Sequence, residues 1–214
     1  TMSANAMVEG ILITYFALGI ILSFFYSTWL VGIGVGALIL GLYYTAKIVF
    51  VKKQVHAYIA SAGLGLYMAQ FIYQMHGLFE MHFTAFIGAV ALIIFQNWRV
   101  FIPFTLTVAI HHASFAYIQY YGFVNNVPRY RNIHFTQLDY MSFQTFLFHV
   151  VLFVFAVVLA AWYANYMGQL NKKNEADIQD LEVFKKSTNQ NVIFANAISR
   201  GDYAYQHDIK EGDE

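Results

Sequence analysis

Cysteine is absent from this 214-residue sequence. That excludes a disulfide framework, Cys-ligated zinc or iron–sulfur sites, and a thiol nucleophile. Charge is scarce too: Asp, Glu, Lys and Arg make up 11% of the chain, where a soluble domain carries about 25%. No basic stripe is present, so nucleic acid is not an expected partner. The N-terminus has no basic residues ahead of its first apolar run, so it does not read as a cleavable signal peptide, and Thr1-Met2 reads as an expression remnant. The few charges are also unevenly placed. Up to residue 170 the acids are Glu9, Glu80 and Asp139, and the bases are Lys47, Lys52, Lys53, Arg99, Arg129 and Arg131. The balanced net charge therefore hides a nearly uncharged block followed by a polar, acidic tail. A soluble fold of that size could not cover its surface with so few charges, and the block is expected to lie in a lipid bilayer.

What is present is hydrophobicity, at 59% of residues. A membrane helix needs about 20 mostly apolar residues, and six stretches are read that way: Met7–Tyr26, Trp29–Val51, His56–Met75, Met81–Gln96, Val100–Tyr121 and Ser142–Met167. The expected fold is all-α, an integral membrane bundle of six transmembrane helices. Ser27-Thr28 makes the first two spans a hairpin, and Trp29, Trp98 and Trp162 stand near span ends as an aromatic belt would place them. Lys47, Lys52, Lys53, Arg99, Lys172 and Lys173 fall on one face, and Arg129 and Arg131 on the other. By the positive-inside rule the first face is cytoplasmic, with both termini inside. The expected location is the inner membrane of a bacterium. The glycines of spans two and three (Gly32, Gly34, Gly36, Gly41, Gly63 and Gly65) sit in apolar helices and read as close helix packing.

The tail divides into a helical linker, 168–190, and a final segment, 191–214. Ile178, Leu181, Val192 and Ala195 keep a loose heptad spacing broken at Lys185 and Thr188. A short cytoplasmic coiled coil, and with it a homodimer, is the expectation.

Histidine carries the chemical signal. His76, His82, His111, His112 and His149 lie in or beside spans, in the non-cytoplasmic half. At 1.5 Å per residue, His111 and His112 lie roughly 17 Å up span five and His149 roughly 10 Å into span six. Glu80 falls in the same slab, and shares a helix face with His76 if the turn between spans three and four stays helical. Ionisable groups in a bilayer are costly and generally face the bundle interior or a watery cavity. Imidazole suits zinc, copper and iron, and also ligates haem iron. The candidate metal ligands are His76, Glu80, His82, His111, His112 and His149, for a Cu, Fe or Zn ion. The alternative is haem b, with axial ligands drawn from His82, His111, His112 and His149 and with Arg129 and Arg131 near its propionates. His56, His134 and His207 read as ordinary surface residues.

Three stretches carry a resemblance: Gln74-Met75-His76-Gly77-Leu78-Phe79-Glu80-Met81-His82-Phe83, Asn97-Trp98-Arg99-Val100, and Ile110-His111-His112-Ala113-Ser114-Phe115. Together they resemble the amino-terminal membrane region of a group of bacterial chemoreceptors, diguanylate cyclases and sensor kinases. In that group the stretches commonly read Glu-Met-His-Phe-His-Phe, Asp-Trp-Arg and His-His. Here Thr84 stands at the second His of the first motif and Asn97 replaces Asp. Met81-His82-Phe83-Thr84 is also similar to the tetrad of MHYT sensor domains, which repeat it where this chain has it once. Ala197-Ile198-Ser199-Arg200-Gly201-Asp202, with Gly212-Asp213-Glu214, resembles the end of the first helix and the connector of a HAMP signalling module. These resemblances imply a sensory input domain in signal transduction, such as chemotaxis, feeding a cytoplasmic output domain beyond the chain. The chain itself is then not an enzyme. The competing classes are a membrane metallo-oxidase or hydroxylase with a His/Glu centre, and a transporter.

Overall fold

The structure is a computed structural model that describes residues 4–50 and 54–201. It is all-helical among the described residues, with six α-helices: α1 (Ala4–Tyr26), α2 (Trp29–Val49), α3 (Val55–Gln74), α4 (Phe83–Leu92), α5 (Phe101–Val124) and α6 (Phe143–Ser199). Five of them, all but α4, are long and apolar enough to cross a membrane. Their exposed side chains are also apolar, among them Leu30, Ile48, Ile110, Leu152 and Phe155. Helices apolar on both their packed and open faces belong to a membrane protein.

The fourth expected span, Met81–Gln96, corresponds to Phe79–Phe95, which is too short to count with the five membrane-crossing helices. The segment Phe79–Phe95 has fewer than 18 residues, with 3₁₀ turns at Phe79–His82 and Ile93–Phe95 flanking α4. Extended backbone at Leu78 starts it, and left-handed Gln96 (φ 51) ends it. Asn97 then caps the next turn by accepting from the Arg99 N–H.

Up to Tyr166 the chain forms one compact unit, with α3 at its centre. α3 packs against α1, α2, α4 and α5 and buries Ala57, Ala60, Leu64, Tyr67, Met68, Phe71 and Ile72. Polar groups, partly buried at one end and buried at the other, pin the two ends of the bundle. At one end, Lys47 pairs with Glu9, and His56 bonds Asn5 at 3.1 Å. At the other, buried Gln74 donates through Nε2 to Gly19 O, Ser23 Oγ and Thr28 Oγ1, 2.9–3.0 Å away, and its Oε1 accepts from Gln70. This second end, here called the loop end, holds the α1–α2 turn, the α3–α4 turn and the loop before α6.

Some glycines are where backbones meet. A Cβ on Gly32 would lie 2.7 Å from Gly19 O, and one on Gly63 would lie 2.6 Å from Ile39 Cγ2, whereas Gly34 and Gly41 have open space. The expectation of close packing thus holds for Gly32, Gly36, Gly63 and Gly65 and fails for Gly34 and Gly41.

The second unit begins at Met167. Its described part is helical to Ser199, with Gly201 at φ +81 after the helix end. Ile178, Leu181 and Val192 are exposed on it. Asp202, His207 and Gly212-Asp213-Glu214 lie outside the described residues, as do Lys52 and Lys53.

Candidate metal centre

Four segments deliver imidazoles to one place at the loop end. His82 comes from the 3₁₀ turn before α4, His111 and His112 from α5, His134 from the loop, and His149 from α6. One ligand nitrogen each from His82, His112 and His134 lie within 4.8 Å of one another, and all three residues are buried. Their rings meet edge to face, with centroids 5.4 Å apart for His82–His112 and 5.1 Å for both His82–His134 and His112–His134. His149 stacks on His112 at 5.3 Å. His111 lies 5.3 Å from His112 and 5.9 Å from His134.

Hydrogen bonds decide which nitrogens are free. Nδ1 of His112 lies 3.0 Å from Val108 O, and Nδ1 of His82 lies 3.2 Å from Phe79 O. A carbonyl only accepts, so each Nδ1 carries the proton and each Nε2 keeps its lone pair. Metal-binding histidines are held in this way, with the far N–H on a backbone carbonyl. His82 Nε2 is buried without a partner, as are both nitrogens of His111 and of His134. Buried polar atoms normally find a partner, so five orphaned nitrogens in one cluster need an explanation. Burial first, and then the neighbouring imidazoles, push His134 far below the ordinary histidine range, so its ring is neutral and has a lone pair to give. Three close-set buried imidazoles of this kind can hold a metal ion. An all-nitrogen donor set suits zinc, copper, iron or nickel, and not calcium or magnesium, which take oxygen.

Sequence reasoning named six ligands; the structure gathers four of them, His82, His111, His112 and His149. His76 and Glu80 stand apart, for a backbone reason. α3 stops at Gln74, and His76 (φ 51) and Gly77 (φ 77) are left-handed, so the turn does not continue as a helix and the two residues share no face. His76 is exposed and stacks on Tyr26 at 4.1 Å. It lines a cavity of about 350 Å³ that also holds Arg129, a charge that repels cations. Glu80 is exposed and belongs to no close-set ligand group among the described residues.

His134, read as an ordinary surface residue, is fully buried. Its position follows from Gln119, buried on α5, whose Nε2 donates to Phe135 O (2.8 Å) and Leu138 O (2.6 Å) while its Oε1 accepts from Phe135 N (2.8 Å). Phe135 then lies parallel to the His82 ring, 4.1 Å away. The loop also rests on Gly77, whose carbonyl accepts from Thr136 N at 2.9 Å. The available signals were the His134-Phe135 pair inside a polar loop and a glutamine inside an apolar span.

No family model, curated protein or solved structure matches this chain.

Proposed function

We propose that this chain is a membrane-embedded sensory input domain that binds one transition metal ion through its histidine cluster. The observation that carries the reading is the convergence of five imidazoles from four segments, with orphaned nitrogens aimed into a buried space. His82, His112 and His134 form the core ligand set. His111 and His149 are within reach as a fourth ligand or as polar neighbours. Zinc bound by three histidines keeps an open position, and copper and iron accept the same donors.

The geometry favours an ion over haem b. The core imidazoles touch edge to face, which leaves no slot between them for a flat macrocycle. The cavity beside His112 and His149 has a volume of about 190 Å³, below the roughly 300–1,000 Å³ of typical small-molecule pockets. The signalling reading rests on α6, which carries both His149 and the polar segment beyond residue 167. A change in metal occupancy or redox state that shifts His149 would bias that helix. In this reading the loop end faces outward, both termini are cytoplasmic, and the chain works as a homodimer in a bacterial inner membrane.

Two measurements test it. Protein purified in mild detergent is expected to hold about one equivalent of Cu, Fe or Zn by elemental analysis and to show no Soret band before or after dithionite. A Soret band, or no metal even after reconstitution, would overturn the metal centre. Because the chain lacks cysteine, a single Leu181→Cys spin label reports on the tail alone. Its spectrum is expected to change when the metal is stripped; an unchanged spectrum removes the support for signalling and favours a membrane metalloenzyme.

A further inference from the structure

We infer that the loop between α5 and α6 is a ligand-bearing lid: it supplies His134 to the metal, and the ion enters and leaves as this loop undocks. The inference rests on the metal-binding reading above and adds how the site is filled.

His82 and His112 stand on helical backbone, while His134 stands on an irregular segment. In that segment, between Asn125 and Tyr140, only His134 and Phe135 are buried. The Gln119 bonds to Phe135 and Leu138, the Thr136–Gly77 bond and ring contacts of Phe135 with His82, Phe79 and His149 seat them, and Tyr140 rests on Tyr120 and Phe123. Much of the rest of it, including Arg131, Asn132 and Thr136–Tyr140, is exposed. Segments with few buried contacts open at the lowest free energy. Metal and docking are then coupled by necessity. With no ion, docking buries two orphaned nitrogens of His134, which opposes it. An ion takes a lone pair and removes part of that penalty. A ligand that binds the docked state alone stabilises docking, and docking raises affinity by the same factor.

The loop is also the favourable path. The cavity beside His112 and His149 is walled by Val108, Phe146, Val150, Phe153 and Val154, an unfavourable route for a hydrated cation. The loop side carries the exposed oxygen-bearing side chains of Asn125, Asn126, Asn132 and Asp139, a polar route for a hydrated cation, with the cations Arg129 and Arg131 standing on the same segment.

The test uses the whole chain in detergent with Zn²⁺ as probe. Amide exchange over residues 125–141 is read with and without zinc, together with the rate at which a chromogenic chelator strips the ion. Zinc is expected to protect the loop in the wild type. His134→Ala is expected to weaken zinc binding at least about tenfold, and Gln119→Leu, with every histidine in place, to release zinc at least about tenfold faster. Gln119→Glu still accepts from Phe135 N but sets a carboxylate oxygen against the carbonyls of Phe135 and Leu138, so it should release zinc at least as fast as Gln119→Leu. If the wild type binds zinc but its loop exchange is unchanged and all release rates agree, the lid is wrong while the metal centre stands. If the wild type binds no zinc, the metal reading fails and the lid fails with it. The wild-type exchange experiment needs no variant, so the proposal stays testable even if Gln119→Leu does not fold.

Discussion

Gly77→Ala perturbs the backbone that supports His134 without changing the side chain of any ligand. Gly77 has φ +77, and a Cβ there would sit 2.8 Å from Asn132 O, 2.9 Å from His134 C and 3.0 Å from His134 O. All three are backbone atoms, so no side chain can swing aside; the loop itself must move. The left-handed conformation adds about 1–2 kcal/mol for a residue with a Cβ. Displacing the loop endangers the Thr136–Gly77 bond, worth about 1 kcal/mol net. A total of about 2–3 kcal/mol against docking should appear as metal affinity weakened by roughly 30- to 150-fold. Competition against a calibrated chelator measures it. Two glycine controls separate this from general destabilisation. Gly34→Ala meets nothing within 4 Å and should leave affinity unchanged. Gly63→Ala drives a Cβ to 2.6 Å from Ile39 Cγ2, and should lower stability with affinity intact. Wild-type affinity in Gly77→Ala, or a loss in Gly63→Ala of equal size, would refute the reasoning.

A histidine scan distinguishes the cluster seen in three dimensions from the one read off the sequence. His82→Ala and His112→Ala should abolish stoichiometric metal in elemental analysis, while His76→Ala and Glu80→Ala should retain it; the opposite pattern would move the site. Gln74→Leu removes the polar tie between α3 and the α1–α2 turn and takes away the partner of the buried Gln70 Nε2, while Ser23 keeps its bond to Gly19 O. It should cost about 2–4 kcal/mol, read as a lower midpoint in detergent-denaturant unfolding with metal stoichiometry unchanged.

How much of this was legible depended on the kind of signal. Long apolar runs gave α1, α2, α3, α5 and the start of α6 to within a few residues, because bilayer thickness imposes a length that composition alone reveals. The fourth segment ends where it was read, at Gln96, but hydropathy does not register that 3₁₀ turns at both ends leave only Phe83–Leu92 as α-helix. His111 and His112 stood out because two imidazoles in an apolar helix are hard to explain otherwise. His76 and Glu80 were grouped with the cluster by depth along the chain, and their shared face depended on a helical turn that ends at Gly77, a glycine after an apolar helix being itself a stop signal. His134 was missed because a polar loop gives no periodicity, and its burial depends on Gln119, fifteen positions away in another element.

The site's charge leads to a last prediction. Among the described residues every close-set donor is a neutral nitrogen, and Glu80 and Asp139 are exposed. An ion bound here therefore brings its charge uncompensated into a region of low dielectric. The solvation penalty rises with the square of charge, so a divalent ion pays about four times what a monovalent one does. For a copper-loaded protein the environment thus favours Cu(I) over Cu(II) and raises the midpoint potential. A carboxylate nearby should reverse this. Ala113 lines the apolar cavity that also touches His112 and His149, so Ala113→Glu sets a negative charge beside the ligands, while Ala113→Gln adds the same bulk without it. The potential is expected to fall in the Glu variant relative to the Gln variant, with the Gln variant near the wild type. Equal potentials in the two variants would mean that the ion does not feel an uncompensated charge, and would refute the idea that the neutral ligand set tunes this site.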